Sequence, residues 1–422
     1  MQRILASAAL ATFLLAAGCP QSQTTYEAPN PPDTPAVVEY TGEPAATETA
    51  PPADNADSIA KLEALGVKLT RDKAGAVTGL DVVAADLKDA DLELLKGLPS
   101  LVDIDLAKSS VTDAGLAALQ SFPNLKSLGL QRCNLVTDAG LSHLESVPNL
   151  ERLYLLYTLI GNDGMEHVAK LKKLKVLDLR GSKVSNAGLE KLREHPALVD
   201  IKLRASSIDD EALPILASIK QLRSIEAEDT TIVGTELGQL ATLTDLQKLN
   251  LWRSYVDESS FAPLSVLTKL RDLRLRGTAV RATVLNTLAA SKDSLIYLDL
   301  IECPINDDEL AAIEPFQRLE TLEIWQTNLG DAGLAHIGKL ANLKSLDISI
   351  CPNVTSAGMT ALVPLSKLET LNLSQTGIDD AALDTLSTMS QLKSLDVRLT
   401  SVTDAGVAKF QAAVPNCKVT RQ

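Results

Sequence analysis

The feature that most constrains the fold of this chain is a leucine that recurs about every 24 residues from Leu101 to the C-terminus. Thirteen complete units share this register. Their first leucines are Leu101, Leu125, Leu150, Leu174, Leu198, Leu222, Leu246, Leu270, Leu295, Leu319, Leu343, Leu368 and Leu392. A weaker unit starts at Val77, and a truncated one starts at Cys417. A fixed period of roughly 20 to 50 residues indicates a solenoid, in which each unit buries its apolar side against its neighbours.

Each unit combines two apolar patterns. Leu101, Ile104 and Leu106 have the spacing of a short strand, and the apolar residues that follow have the spacing of a short helix. Thr112 or Asp113 is the expected N-cap of that helix. The unit is therefore predicted to contain one strand, one turn and one short helix.

The strand half of the unit carries the pattern L-x-x-L-x-L, for example from Leu125 to Leu130 and from Leu270 to Leu275. The helix half of the unit reads Val-Thr-Asp-Ala-Gly-Leu at Val111 to Leu116 and again at Val136 to Leu141. From about Val77 onward the chain thus resembles the leucine-rich-repeat family, in particular its cysteine-containing subclass and the repeats of bacterial leucine-rich-repeat lipoproteins. The resemblance implies an α/β solenoid, a horseshoe with a concave parallel sheet and short convex helices.

Residues 1–19 are typical of an export signal. One basic residue, Arg3, precedes an apolar run from Ile4 to Ala17, and this run is too short to span a bilayer, which needs about 20 residues. The stretch from Leu15 to Cys19 resembles a bacterial lipobox, which implies lipidation of Cys19 and a protein anchored to a membrane of the cell envelope. Ordinary cleavage to a soluble exported protein is the alternative.

The rest of the chain divides by composition. Residues 20–57 are rich in Pro, Ala and Thr and are expected to be a disordered tether. Residues 58–76 are expected to form a helix and hairpin that cap the first repeat. Residues 77–416 hold about 14 repeats of 24 to 25 residues, and residues 417–422 close the solenoid.

One position in the repeat accepts only small residues that can form hydrogen bonds. Eight places after the first leucine, ten units have Ser or Thr and three have Cys133, Cys303 or Cys351. We expect this slot to satisfy backbone groups at an inward turn. The cysteines are thus predicted to be structural, without disulfides, since two repeats separate Cys303 from Cys351 by about 10 Å. No CxxC pattern suggests a metal site.

Neither catalysis nor nucleic-acid binding has a clear sequence signal. The four histidines, His143, His167, His195 and His336, lie in separate repeats and are expected to be solvated. Acidic pairs such as Asp209-Asp210 occupy the slot that opens the convex helix, where negative charge is favourable. The net charge of −14 and the pI near 4.9 argue against nucleic acid as a partner. We expect a monomeric protein without enzymatic activity or cofactor.

Side chains alternate across a strand, so the residues directly before and after each strand leucine should line the concave face. Trp, Tyr and Arg are concentrated there in the middle repeats, and these residue types dominate protein-binding hot spots. We therefore predict a site for a protein or peptide between Tyr154 and Trp325. Its residues are Tyr154, Tyr157, Arg180, Arg204, Glu226, Glu228, Trp252, Arg253, Arg274, Arg276, Tyr297, Glu323 and Trp325. The alternative is a solvated sheet face on which the aromatic side chains only cover neighbouring strands.

The leading functional hypothesis is a non-enzymatic, lipid-anchored protein-binding scaffold of the bacterial envelope. A substrate adaptor of the ubiquitin-ligase type is a second hypothesis, because cysteine-containing repeats are common in such proteins. The signal and the lack of a helical adaptor module before the repeats argue against it. A glycan-binding envelope protein is a third, since aromatic side chains on a sheet can stack on sugars.

Overall fold

The computed structural model describes residues 53–82 and 86–421. Predictions for the signal segment, for Cys19 and for most of the tether lie outside these residues. Within the described part, no helix is long and apolar enough to cross a membrane.

A single sheet of sixteen strands runs through the described residues in sequence order. The first two strands are antiparallel, and all later neighbours are parallel. The strands are β1 Lys68–Arg71, β2 Val77–Asp81, β3 Asp103–Asp105, β4 Ser127–Gly129, β5 Arg152–Tyr154, β6 Val176–Asp178, β7 Asp200–Arg204, β8 Ser224–Glu228, β9 Lys248–Asn250, β10 Asp272–Arg274, β11 Tyr297–Asp299, β12 Thr321–Glu323, β13 Ser345–Asp347, β14 Thr370–Asn372, β15 Ser394–Asp396 and β16 Lys418–Thr420. This is the predicted order of a solenoid, with one strand added per repeat.

Short helices form the opposite side of each repeat. The α-helices are α1 Ala56–Ala64, α2 Asp113–Leu116, α3 Gly164–Val168, α4 Asn186–Leu189, α5 Ala212–Ser218, α6 Val284–Thr287, α7 Asp331–Ile337, α8 Asp380–Leu386 and α9 Asp404–Ala413. The 3-10 helices are Asp89–Gly97, Ala117–Ser121, Gly140–Ser146, Glu190–Leu192, Leu237–Thr242, Glu258–Val266, Ala289–Ser291, Asp307–Ile313 and Ser356–Ala361. Thr112 caps α2 by accepting from the N–H of Ala114, as predicted.

The core lies between the sheet and the helices and is continuous along the repeats. The central leucine of each short strand is buried, as Leu128, Leu273 and Leu371 illustrate. The phenylalanines of the convex half, Phe122, Phe261, Phe316 and Phe410, are buried too. Because each repeat fills the same slots, the strand residues beside the leucine are left on the concave face.

The turn after each strand has a fixed conformation. The residue seven places after the first leucine has positive φ in twelve of the thirteen units, as at Arg132 (59°), Tyr157 (54°) and Arg253 (54°). In the next slot, Thr158 and Ser254 donate to the carbonyls of Leu155 and Leu251 at 2.7 Å, as predicted for this position. The turn thereby presents its positive-φ residue at the edge of the concave face.

The three cysteines in this slot make the same kind of contact with a different repeat. Cys133 Sγ and Cys303 Sγ lie 3.1 Å from the carbonyls of Leu106 and Leu275, each in the preceding repeat. Burial raises the pKa of the Cys303 thiol to about 11. The described cysteines are all free and buried.

Two sequence expectations need correction. His195 was expected to be solvated, but it is buried, because it fills an apolar slot at the end of its convex segment. Its Nε2 lies 3.2 Å from the carbonyl of Leu171, which satisfies the buried ring. The second correction concerns the start of the folded region, because α1 begins at Ala56, before the expected boundary at residue 58.

Candidate functional site

Three columns of side chains line the middle of the concave face. They come from the residues on either side of each strand leucine and from the first residues of the following turn. Neighbouring strands lie about 4.8 Å apart, so side chains in one column touch across one or two repeats. The structure brings most of the predicted binding residues into contact through these columns.

Trp252 lies at the centre of this cluster. Three guanidinium groups surround its ring, those of Arg204, Arg253 and Arg276, whose Cζ atoms lie 5.4, 5.3 and 5.2 Å from the ring centroid. Arg276 also lies 4.7 Å from the centroid of Trp325 and so joins the two tryptophans. The geometry is that of cation–π contacts, which hold aromatic and cationic side chains together on a partly exposed surface. We call Trp252, Arg204, Arg253, Arg276 and Trp325 the Trp-Arg cluster.

Carboxylates hold Arg204 and Arg276 of this cluster in place. Asp229 accepts from Nε of Arg204 at 2.7 Å and lies 3.9 Å from Arg253. Glu302 accepts from Nη2 of Arg276 at 2.8 Å. Ordering long side chains before a partner arrives lowers the entropy cost of binding. The sequence prediction missed Asp229 and Glu302, which belong to the turn position of positive φ.

Tyr297 and Arg274 form a second aromatic and cationic pair beside the cluster. The Arg274 guanidinium lies 4.6 Å from the ring centroid, and Asp272 holds it through two hydrogen bonds of 2.9 and 3.0 Å. Burial, with help from Glu323, raises the pKa of the Tyr297 phenol. Arg180 is likewise held by Asp178. These arginines therefore have fixed orientations.

Glu226 and Glu228 are internal partners of other concave residues. Glu226 is buried and bonds Lys248 at 2.8 Å and Lys202 at 3.4 Å. Burial alone would raise the pKa of Glu226, but the two lysines lower it. Glu228 is buried and accepts from Asn250 at 2.8 Å, and burial raises its pKa. Because both side chains are buried and paired within the protein, they have little surface left for a partner.

Tyr157 lies at the edge of the concave face. Its side chain is among the exposed large hydrophobic ones, with the Arg132 guanidinium 5.1 Å from the ring centroid. Nη1 of Arg204 lies 3.4 Å from the Tyr157 hydroxyl, which connects this edge to the Trp-Arg cluster. The site therefore extends from the sheet onto the turns.

Tyr154 lies apart from the cluster and lines a shallow concavity of about 290 Å³. The sequence prediction missed the other residues of this concavity, because most of them are small or acidic. They are Asp103, Asp105, Ser127, Gly129, Gln131 and Arg152. Gly129 has no side chain to fill this concavity. A glycine at a strand position where other repeats have larger residues was therefore the sequence signal that could have indicated the concavity.

Carboxyl groups dominate the concave face on the C-terminal side of Tyr297. Burial raises the pKa of Asp299 to about 6 and that of Glu323 to about 8, and neighbouring carboxylates add to the effect at Glu323. Burial also raises the pKa of Asp347. The described residues contain no group of three or more His, Cys, Asp or Glu side chains arranged to hold a metal ion.

The family model described as Leucine Rich repeat matches residues 170–192. Among solved structures, an internalin from Listeria monocytogenes is similar, with 22% identity, a TM-score of 0.58 and coverage of 81% of this chain and 94% of that one. A Leptospira interrogans LRR protein has 15% identity and a TM-score of 0.51, covering 77% and 91% of the two chains. No curated protein matches the sequence.

A third similar structure is TLR13 in complex with ssRNA13, at 18% identity and a TM-score of 0.51, with 78% of this chain and 46% of that chain covered. At these identities the similarity concerns the fold. The described part of the chain is a leucine-rich-repeat solenoid with a concave parallel sheet and short convex helices.

Proposed function

We propose that this protein is a non-enzymatic protein-binding scaffold of the bacterial cell envelope, and that its partner docks on the Trp-Arg cluster. The observation that carries the proposal is the ring of Trp252 with three guanidinium groups within 5.4 Å of its centroid. Trp and Arg are the residue types most enriched in binding hot spots. Both tryptophans of the chain belong to this one cluster.

The arrangement favours a protein over a glycan as the partner. A sugar that stacked on Trp252 would have to displace guanidinium groups that are themselves tied to Asp229 and Glu302. A protein surface can instead use the ring edges and the guanidinium groups together. Although the TLR13 structure contains RNA, the acidic pI of 4.9 here argues against a polyanionic partner.

The test measures how much of a partner protein the full chain captures from an envelope extract, and compares the wild type with two variants. Trp252→Ala together with Trp325→Ala removes the centre of the cluster, and we expect the captured partner to fall at least about tenfold, the scale of a hot-spot loss. Val266→Ala is the matched control, because Val266 is an exposed apolar residue of a convex 3-10 helix. Equal capture by all three proteins, with equal thermal stability, would refute the proposal.

The envelope location rests on the lipobox-like stretch that ends at Cys19. We propose that a lipid on Cys19 anchors the protein and that the Pro-rich segment holds the repeats away from the membrane. Growth with a labelled fatty acid should label the wild type and leave Cys19→Ser unlabelled. Unlabelled wild-type protein in the cytosolic fraction would instead favour the adaptor hypothesis.

A further inference from the structure

Two buried N–H donors at the centre of the Trp-Arg cluster lack a hydrogen-bond acceptor among the described residues. They are Nε1 of Trp252 and Nε of Arg276. Other concave arginines satisfy the same atom: Nε of Arg204 donates to Asp229 at 2.7 Å, and Nε of Arg274 donates to Asp272 at 2.9 Å. Among the described side chains, the buried N–H groups without an acceptor are therefore those of Trp252 and Arg276.

A buried donor without an acceptor is unfavourable, because it has lost water and gained no partner. Two such donors on touching side chains, with further guanidinium groups beside them, match a group that accepts several hydrogen bonds and carries negative charge. We infer that the Trp-Arg cluster receives a carboxylate from an acidic side chain of the partner protein. This inference rests on the proposed function and specifies the chemistry of its partner.

Arg253 is the side chain that can move to admit this carboxylate. Its guanidinium lies 5.3 Å from the Trp252 ring centroid, and its side chain is 51% exposed. Asp229 is 3.9 Å from Arg253 but only 2.7 Å from Arg204, so Arg253 has the weaker hold on this shared carboxylate. When Arg253 turns toward the partner, its guanidinium becomes a further donor to the same carboxylate.

The surrounding charges favour a single carboxylate over a phosphate or a nucleic acid. Asp229 and Glu302 already neutralise part of the charge of the three arginines. Glu228 occupies the same repeat position as Trp252 and Arg276, and it is buried and bonded to Asn250. A polyanion would also meet the repulsion of a chain with net charge −14.

The test uses the intrinsic fluorescence of Trp252. In the full chain carrying Trp325→Phe, Trp252 is the one remaining tryptophan, because the sequence has two. This protein is titrated with acetyl-Gly-Gly-Glu-Gly-Gly-amide, which carries one carboxylate, and with the matched peptide in which Glu is Gln. Inorganic phosphate and a short oligothymidylate are titrated in parallel. We expect a saturable change with the Glu peptide that salt weakens, and little change with the other probes.

Two variants in the same background locate the contact. Arg276→Lys keeps the positive charge near Glu302 but removes Nε, and we expect it to weaken the Glu peptide about tenfold. Arg398→Lys is the matched control, since Arg398 occupies the same column and its Nε is held by Asp396 at 2.9 to 3.0 Å. Trp252→Phe in the otherwise native chain keeps a ring without the N–H, and calorimetry should show a comparable loss.

Equal responses to the Glu and Gln peptides, or no response at all, would overturn the inference. Tighter binding of phosphate or of the oligonucleotide would overturn the assignment to a carboxylate. An equal loss in Arg276→Lys and Arg398→Lys would place the peptide elsewhere. If the peptide fails to bind while Trp252→Ala plus Trp325→Ala still abolishes capture, only this inference fails; if it binds and capture is unchanged, the proposed function fails.

Discussion

Asp331 and Thr355, which lie at equivalent edges of consecutive repeats, are joined by two hydrogen bonds. The backbone N–H of Thr355 donates to Oδ1 at 2.8 Å, and its hydroxyl donates to Oδ2 at 2.6 Å. The same hydroxyl accepts from the N–H of Ala357 and caps the following 3-10 helix. Equivalent bonds join Asp89 to Thr112, Asp113 to Thr137, and Asp380 to Thr403. One carboxylate thus links a repeat to the start of the next helix.

We predict that Asp331→Ala lowers the free energy of unfolding by about 1 to 3 kcal/mol, because two charge-assisted hydrogen bonds are lost. Asp384→Ala is the control, since Asp384 is 55% exposed and only pairs with Lys409 on the surface. It should change stability by less than about 0.5 kcal/mol. Urea denaturation followed by circular dichroism measures both. Equal effects of the two variants would show that the inter-repeat bonds contribute little.

Gly358 leaves the space that the Asp331 carboxylate occupies. A Cβ at Gly358 would lie 2.9 Å from Cγ of Asp331 and 2.8 Å from Cδ1 of Leu334. Gly→Ala inside a helix usually stabilises it by about 1 kcal/mol. Here we predict the opposite sign, a loss of about 1 to 3 kcal/mol from overpacking. A smaller loss is expected at Gly161→Ala, where the nearest atom is Asp138 Oδ2 at 3.3 Å.

A double-mutant cycle separates this close approach from a general intolerance of alanine. In the presence of Asp331→Ala, the obstruction at Gly358 is reduced, so the combined loss should be less than the sum of the single losses. Strict additivity, measured by urea denaturation, would contradict the steric explanation.

The sequence predicted the frame of this fold well, because each repeat places the same side chains in the same slots. The strand leucines, the buried Phe261 and the small residue at Cys303 all follow from the period alone. It also predicted the concave column that holds Trp252 and Trp325, since side chains alternate across a strand. The features that recur in every repeat, namely the buried slots and the concave columns, were therefore predictable from the sequence.

Contacts between side chains of different repeats were not predictable in this way. Glu226 and Glu228 have the same sequence context as exposed concave residues, yet pairing with Lys248 and Asn250 buries them. His195 was misjudged because one polar residue replaced an apolar one in its slot. These outcomes depend on side-chain orientation and on the partner available one repeat away, which a period does not specify.

The small-residue slot provides a prediction about the contribution of its buried hydroxyl group. Thr376 is buried and donates to the carbonyl of Leu373 at 2.6 Å. We predict that Thr376→Val costs about 1 kcal/mol, since the carbonyl loses its donor. Thr376→Ser should cost less, because serine keeps the hydroxyl. Thermal unfolding of the three proteins measures the difference, and a Val variant as stable as the Ser variant would show that size alone matters.

The concave carboxyl groups predict how stability varies with pH. The folded-state pKa of Glu323 is raised from 4.5 to about 8, chiefly by burial and then by Asp347 and Asp299. Below pH 4.5 this group is protonated in both states and its contribution to stability is fully present. As the pH rises toward 8, the unfolded chain releases its proton first, so the folded state progressively loses that contribution.

We therefore predict that the melting temperature of the wild type falls between pH 5 and pH 8, and that Glu323→Gln reduces this fall. After allowance for solvent screening, the difference should be on the order of 1 to 2 kcal/mol. Glu320→Gln serves as the control, because Glu320 is 39% exposed and pairs with Lys344 on the surface. Calorimetry at pH 5, 6.5 and 8 compares the three proteins. If Glu323→Gln and the wild type show the same pH dependence, burial does not raise the pKa of Glu323 as predicted.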